Sequence, residues 1–284
     1  SWDEVFNIIK SKIENTDKEK ICGFVGDLIN METSFIFKEF FDRTINNKNY
    51  ESRHTSKFLD NSQRENYLFN STINGIEDSD FILLIGTNPR FEATIVNARI
   101  RKSYLNNNTK IVSVNDVGDL TYPYKSLDGK TKTIKDIFES NHSISNEIIS
   151  SKKPMIIIGE SLLNNESANY LFSLIKKFLM KNEKISENWN SLNILSTDAA
   201  TVGNLDLDLI NKNQDLIKDL YENKFEIVYL LGQDNLNFNK KNEFIIYQGS
   251  HGDRGAEIAD VILPAAAYTE WTLYKFRRKS SKII

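Results

Sequence analysis

The sequence predicts an α/β protein built on doubly wound parallel sheets, and two observations carry the prediction. The first is a set of short runs, apolar at every position and closed by glycine: ICGFVG (Ile21–Gly26), FILLIG (Phe81–Gly86), MIIIG (Met155–Gly159), IVYLLG (Ile227–Gly232) and FIIYQG (Phe244–Gly249). A strand apolar on both faces is buried on both faces, as parallel strands between helical layers are. KIVSVN (Lys110–Asn115), LNILS (Leu192–Ser196) and DVILP (Asp260–Pro264) repeat the pattern without the glycine. The second observation is helical spacing between these runs. Phe37, Phe40, Phe41 and Ile45 recur at that spacing in METSFIFKEFFDRTI, as do Leu171, Leu174, Ile175 and Phe178 in ESANYLFSLIKKFLM and Leu216, Ile217 and Leu220 in NQDLIKDLYEN. Strand–helix alternation means βαβ units with crossovers of one hand.

The stretch with the weakest pattern is Tyr122–Pro154, and Lys152, Lys153 and Pro154 punctuate the entry to the next strand. A boundary near residue 150 is therefore expected, with two Rossmann-like lobes at 1–150 and 151–270 and a basic C-terminal tail at 271–284. The length of 284 residues suits either one large domain or two smaller ones.

Composition narrows the function classes. No apolar run approaches the ~20 residues of a membrane-spanning helix, so any membrane association is expected to be peripheral. The formal net charge is −3, and without Lys275, Arg277, Arg278, Lys279 and Lys282 of the tail it becomes −8. An acidic body argues against nucleic acid as the main partner. Cys22 is the single cysteine, which excludes a zinc ribbon, an internal disulfide and a cysteine-ligated iron–sulfur cluster. It lies in an apolar strand pattern and reads as an inert buried thiol. Ser1 stands where methionine would begin a new chain, pointing to processing or excision from something longer.

Two stretches carry candidate chemistry. In LLIGTNPRFEATIVNARIR (Leu83–Arg101), Gly86 turns the chain out of a strand, Asn88 suits a helix N-cap and Pro89 the first helical position. Strand, glycine turn and capped helix attract phosphate or carboxylate, although G-x-G-x-x-G and the P-loop lysine are both missing. Arg90, Arg99 and Arg101 could neutralise an anion. Arg99 and Arg101 are two residues apart and face different ways on a helix, so surface or inter-subunit ion pairs are expected. In GSHGDRGAEIADVILP (Gly249–Pro264), His251 and Asp253 raise acid–base or metal chemistry. His54 and His142 are the other histidines, at no ligand-like spacing, so a structural, satisfied His251 is expected. No serine elbow, carboxylate pair or Cys/His arrangement is present. On the residues alone an empty capped turn is favoured over one that holds an anion, the turns stay nucleotide-site-like, and no catalyst is identifiable.

The same two stretches carry a family resemblance. Ile76–Leu105 and Ile245–Glu270, with WDEVFNIIKSKI, ICGFVGDLINMET, DLTYPYKSLDG and KKPMIIIGESLL, resemble the largest iron–sulfur subunit of respiratory complex I, the NADH:ubiquinone oxidoreductase, over nearly the whole chain. In that family an N-terminal ferredoxin-like part holds iron–sulfur clusters, and the remainder is similar to the pterin-binding domains of molybdenum oxidoreductases. This chain resembles only the second, molybdopterin-oxidoreductase-like part. The resemblance implies a split subunit or a fragment, with clusters on a separate ferredoxin-like chain and no cofactor here. It implies other complex I subunits as partners, and a peripheral place on the matrix side of the mitochondrial inner membrane or on a bacterial cytoplasmic face. Gly86, Asn88 and Pro89, with Ala259, Asp260, Leu263 and Pro264, match turns that line the pterin nucleotide site of the molybdenum enzymes, while in complex I the domain has lost that cofactor. After Glu270 this chain departs from the family pattern. The implied function is a scaffold supporting NADH-to-ubiquinone electron transfer; the alternatives are a catalytic oxidoreductase chain that binds pterin or nucleotide, and a free-standing nucleotide-binding protein.

Overall fold

The computed structural model describes residues 1–212 and 214–267; the expected basic tail, 271–284, lies outside them. The chain forms two compact units, each holding one five-stranded sheet in which every pairing is parallel. Among the described residues ten strands form: β1 (Ile21–Val25), β2 (Tyr50–Glu51), β3 (Phe81–Ile85), β4 (Lys110–Ser113), β5 (Lys125–Ser126), β6 (Pro154–Ile158), β7 (Leu192–Ile194), β8 (Ile227–Leu231), β9 (Phe244–Gly249) and β10 (Val261–Pro264). All eight runs read from the sequence are strands. The parallel α/β class and the doubly wound architecture are as the sequence predicts.

The second unit is continuous, Lys57–Val202, and orders its strands β5-β4-β3-β6-β7. In order of appearance this is 3-2-1-4-5, with the reversal between β3 and β6. Side chains of β3 alternate between two cores. Phe81, Leu83 and Ile85 face the helices Thr131–Phe138, Ser143–Ser150 and Ala168–Lys181, whereas Ile82 and Leu84 face the Thr94–Asn107 helix through Val96 and Ile100. A fully buried Leu or Ile is worth about 1.5–3 kcal/mol, so a strand buried on both sides anchors its sheet.

The first unit is discontinuous. It joins Ser1–Ser56 to the chain from Gly203 onward, in the strand order β10-β9-β8-β1-β2. Order of appearance gives 2-1-3-4-5, with the reversal between β1 and β8. Cys22, Phe24, Val228, Leu230, Ile245 and Tyr247 face the Leu216–Tyr221 helix, while Ile21, Ile227, Leu231 and Ile246 face the helices Trp2–Glu14 and Met31–Glu39. The second of these continues through a π-turn, Phe40–Ile45, which keeps Phe41 and Ile45 in the core.

The expected boundary near residue 150 differs from this division. Residue 150 ends a helix inside the second unit, and the next strand, β6, pairs directly with β3. A central strand cannot be cut from its partner, so the units divide instead near residues 56 and 202.

Candidate functional site

Ligands of open α/β sheets sit at the carboxyl edge where strand order reverses, and each unit has one such point. In the second unit it is marked by Gly86 after β3 and Gly159 after β6. Gly86 has φ +64°, a left-handed conformation that favours glycine. Its carbonyl accepts the Ser161 N–H at 3.0 Å, and Gly159 N–H donates to Ile85 O at 2.9 Å. A Cβ on Gly159 would stand 2.7 Å from Gly86 O and 2.5 Å from Thr87 Cβ. The two turns thus press together over the switch point.

The helix that follows is Pro89–Glu92, with Pro89 at its start and Asn88 as N-cap, accepting from Arg90 N at 3.2 Å. The sequence pointed to both roles. It did not point to Glu92. One Glu92 carboxylate oxygen accepts the Thr87 hydroxyl at 2.6 Å and the other the Asn88 N–H at 3.0 Å. The turn's donors therefore face a carboxylate from its own chain, at the place where a phosphate would take them. Glu92 falls four residues after Asn88, and that spacing was the available signal.

The three arginines diverge. Arg90 donates to the Asp119 carboxylate and carbonyl, both at 2.6 Å; Arg99 pairs with Glu77; Arg101 donates to Thr121 O at 3.2 Å. The Thr121 N–H, then Arg90, hold the Asp119 carboxyl below its ordinary range. Lys102, then Arg99, do the same for Glu77. These are ion pairs within one unit. Beside Gly86 a cavity of about 130 Å³ is lined by Asn115, Gly129, Ser161 and Asn165, well under the ~300 Å³ at which ligand pockets begin.

In the first unit the switch point lies between Gly26 and Gly232. They meet more closely still: a Cβ on Gly26 would lie 1.7 Å from Gly232 O. Gln233 Nε2 donates across to Val25 O at 3.1 Å. Beyond β9, a cavity of about 370 Å³ at the carboxyl edge is lined by Leu28, Gly232, Tyr247, Ser250, His251 and Asp253, among others. Its polar anchor is Tyr247, whose hydroxyl donates to Asp234 Oδ2 at 2.9 Å, while Asp234 Oδ1 accepts Gly255 N–H at 2.8 Å. Burial, then the Asp234 carboxylate, raise the Tyr247 phenol.

His251 lies on the surface, its Nδ1 2.8 Å from Ser250 Oγ. The structure gives it no bond to Asp253. His142 is the N-cap of the Ser143–Ser150 helix, with Nδ1 accepting from Ile144 N at 3.2 Å. His54 Nδ1 lies 3.6 Å from Asp27 Oδ2. Cys22 is fully buried in β1, and burial pushes its thiol well up, so it is no ready nucleophile.

The second matched turn is split by the fold. Asp260 lies at the amino end of β10, where Oδ2 accepts Ile245 N–H at 2.8 Å and Lys240 Nζ stands 2.7 Å away. Pro264 ends the strand at the opposite edge. Asp260 therefore fastens β9 to β10 and stands away from the carboxyl-edge cavity. Among the described residues neither switch point brings together a nucleophile, a base and an oxyanion donor.

The chain matches the family described as molybdopterin oxidoreductase over residues 1–273. It is 38% identical over 288 residues to the NADH-ubiquinone oxidoreductase 75 kDa subunit of Reclinomonas americana, covering 96% of this chain and 42% of that protein. It is 37% identical over 274 residues to an NADH-quinone oxidoreductase subunit of Rickettsia bellii, covering 95% of this chain and 39% of the relative. The subunit of the same name from Rickettsia prowazekii is 38% identical over 274 residues, with the same coverage of 95% and 39%. The chain spans about two fifths of the length of these relatives.

Proposed function

Because this chain belongs to the molybdopterin oxidoreductase family, and its relatives carry the names of NADH-quinone and NADH-ubiquinone oxidoreductase subunits, we propose that it is a scaffolding part of the hydrophilic arm of respiratory complex I. In this reading it supports NADH-to-ubiquinone electron transfer without binding a cluster. The clusters sit on a separate, cysteine-rich, ferredoxin-like chain, and the other complex I subunits are its neighbours. A lone cysteine, fully buried in β1, supports that division of labour, since a cluster needs several thiolates. No helix among the described residues is long and apolar enough to cross a membrane, which suits a peripheral place. We assign that place to the matrix side of the mitochondrial inner membrane, with a bacterial cytoplasmic face as the second choice.

The family implies a molybdenum-bound pterin nucleotide, and the residues here do not fit it. Glu92 carries the observation: its carboxylate takes the Thr87 and Asn88 donors of the matched turn and would repel a phosphate there. Asp260 of the second matched turn is committed to Ile245 and Lys240 at the amino edge. We therefore derive no step through the pterin.

A catalytic pterin- or nucleotide-binding chain is the second reading. The cavity beside Tyr247, about 370 Å³ at the carboxyl edge, favours it by size, and the Asp234 and Asp253 carboxylates around it disfavour an anionic ligand. Affinity purification of the chain from its native cell decides between them. Co-purification of a cysteine-rich ferredoxin-like polypeptide in a large NADH-oxidising assembly is the expected result. Isolation of the chain as a monomer, away from any such assembly, counts against the scaffold.

A further inference from the structure

Among the described residues three carboxylates are buried: Glu51, Asp219 and Glu243. Glu51 has Arg53 and Asp219 has Lys224, each at 2.6 Å. Glu243 has no cation. It is 3% exposed, its Oε2 accepts the Lys241 N–H, and its Oε1 meets no donor among the described residues. A carboxylate withdrawn from water is costly unless it is paired, so a buried acid without a counter-charge asks for one.

Glu243 stands on the wall of a cavity of about 650 Å³ at the amino edge of the first unit's sheet, where β8 and β9 begin. That size suits a small molecule. Asn223 lines the same cavity; its Nδ2 donates to Tyr221 O at 3.2 Å, but its buried Oδ1 accepts nothing. Both unmet groups are acceptors, so the missing partner is a donor. The lysines of the cavity do not supply it. Lys12 Nζ lies 5.2 Å from the centre of the Phe244 ring, and Lys241 gives Glu243 only its backbone N–H. Glu222 and Glu226, also on the wall, have lysines of their own, Lys224 at 2.8 Å and Lys20 at 2.5 Å. Among the described residues no two further metal-ligating side chains gather at Glu243, too few for a hard cation that wants ~6–8 oxygens.

We propose that this cavity binds a small aliphatic amine, with its primary ammonium on Glu243 Oε1 and its alkyl stem along Phe225, Ile227 and Phe244. The ammonium brings the charge and the donors that this wall lacks, and the three apolar side chains suit the stem. The site lies within the first unit, at the sheet edge opposite its switch point, and stands apart from the complex I reading.

Calorimetry on the full chain at neutral pH tests it, with n-butylamine as the probe and n-butanol as its uncharged match. The amine should bind about ten-fold or more tighter than the alcohol. Glu243→Gln keeps the shape of the wall and should weaken the amine by a similar factor, with helical content intact. Lys12→Met, on an exposed position of the Trp2–Glu14 helix, removes a like charge and should tighten the amine several-fold, a gain that no misfolded chain would show. Equal binding of amine and alcohol, or equal amine binding by Glu243→Gln and the unaltered chain, would overturn the proposal. So would tighter binding of N-acetyl-lysine methylamide than of n-butylamine, since that assigns the cavity to a lysine of a partner chain.

Discussion

In the second unit the chain runs from β3 to β7 without interruption and reverses its strand order between β3 and β6; in the first it leaves after β2, returns at β8, and reverses between β1 and β8. The topologies differ, yet both reversal points carry the same device, one glycine against another at backbone distance. The second unit adds a carboxylate of its own, Glu92, over the turn's donors. The first has no such plug among the described residues and keeps a cavity beside Tyr247. The lesson is that a strand–glycine–helix turn does not imply a ligand. What occupies its N–H groups has to be counted donor by donor.

Buried charge separates the units most strongly. In the second, Lys57 is nearly buried and holds both Glu160, at 3.1 Å, and Asp198, at 3.0 Å. In the first, Arg53 pairs with buried Glu51, which also accepts the backbone N–H groups of Ser52, Arg53 and Asn211. Lys57→Met should therefore cost about 3 kcal/mol or more in a urea titration. Arg53→Met should cost less, because three backbone donors still hold Glu51. A larger loss for Arg53→Met would break the comparison. The two carboxylates raise the Lys57 pKa against the opposing effect of burial. The stability from this triad is then complete below the unfolded value of about 10.5, and should fall as pH rises through the higher folded value. Lys57→Met should abolish that alkaline decline.

The glycine contacts come next. Gly26→Ala drives a Cβ into the backbone of Gly232, whereas Gly159→Ala meets Thr87 Cβ and the Gly86 carbonyl at larger distances. Thermal melts should place Gly26→Ala at the upper end of the about 1–3 kcal/mol expected of overpacking, with Gly159→Ala below it. The reverse order would mean that the second switch point is the tighter.

Glu92→Gln keeps the shape of the plug and removes its charge. It should cost about 1 kcal/mol and let pyrophosphate bind measurably by calorimetry where the unaltered chain gives no heat. No binding by either protein would show that the Gly86–Gly159 contact alone closes the site. The smallest effect belongs to His142→Ala, which removes the N-cap of Ser143–Ser150 and should cost about 0.5–1 kcal/mol in the same melts.

Much of this fold was legible. Eight strands announced themselves because a parallel strand buried on both faces is apolar at every position. β2 and β5 did not, being two-residue edge strands, Tyr50–Glu51 and Lys125–Ser126, without an apolar pattern. The units were not legible either, since nothing near residue 150 records that β6 pairs with β3, and long-range strand order leaves no local trace. At the candidate site, Asn88 and Pro89 were read correctly from capping chemistry. Glu92 is less legible, since an acid in a first turn is ordinary dipole compensation and its sequence position does not show which donors it takes. Asp260 matched a ligand-lining turn by sequence, yet strand direction carries it to the other edge of the sheet.

The central claim is that this chain serves an electron-transfer assembly as a scaffold and holds no pterin. It is tested most directly by measuring molybdenum and extractable pterin in the assembly isolated through this chain. The account predicts molybdenum and pterin far below one per chain. One molybdenum and its pterin per chain would contradict it.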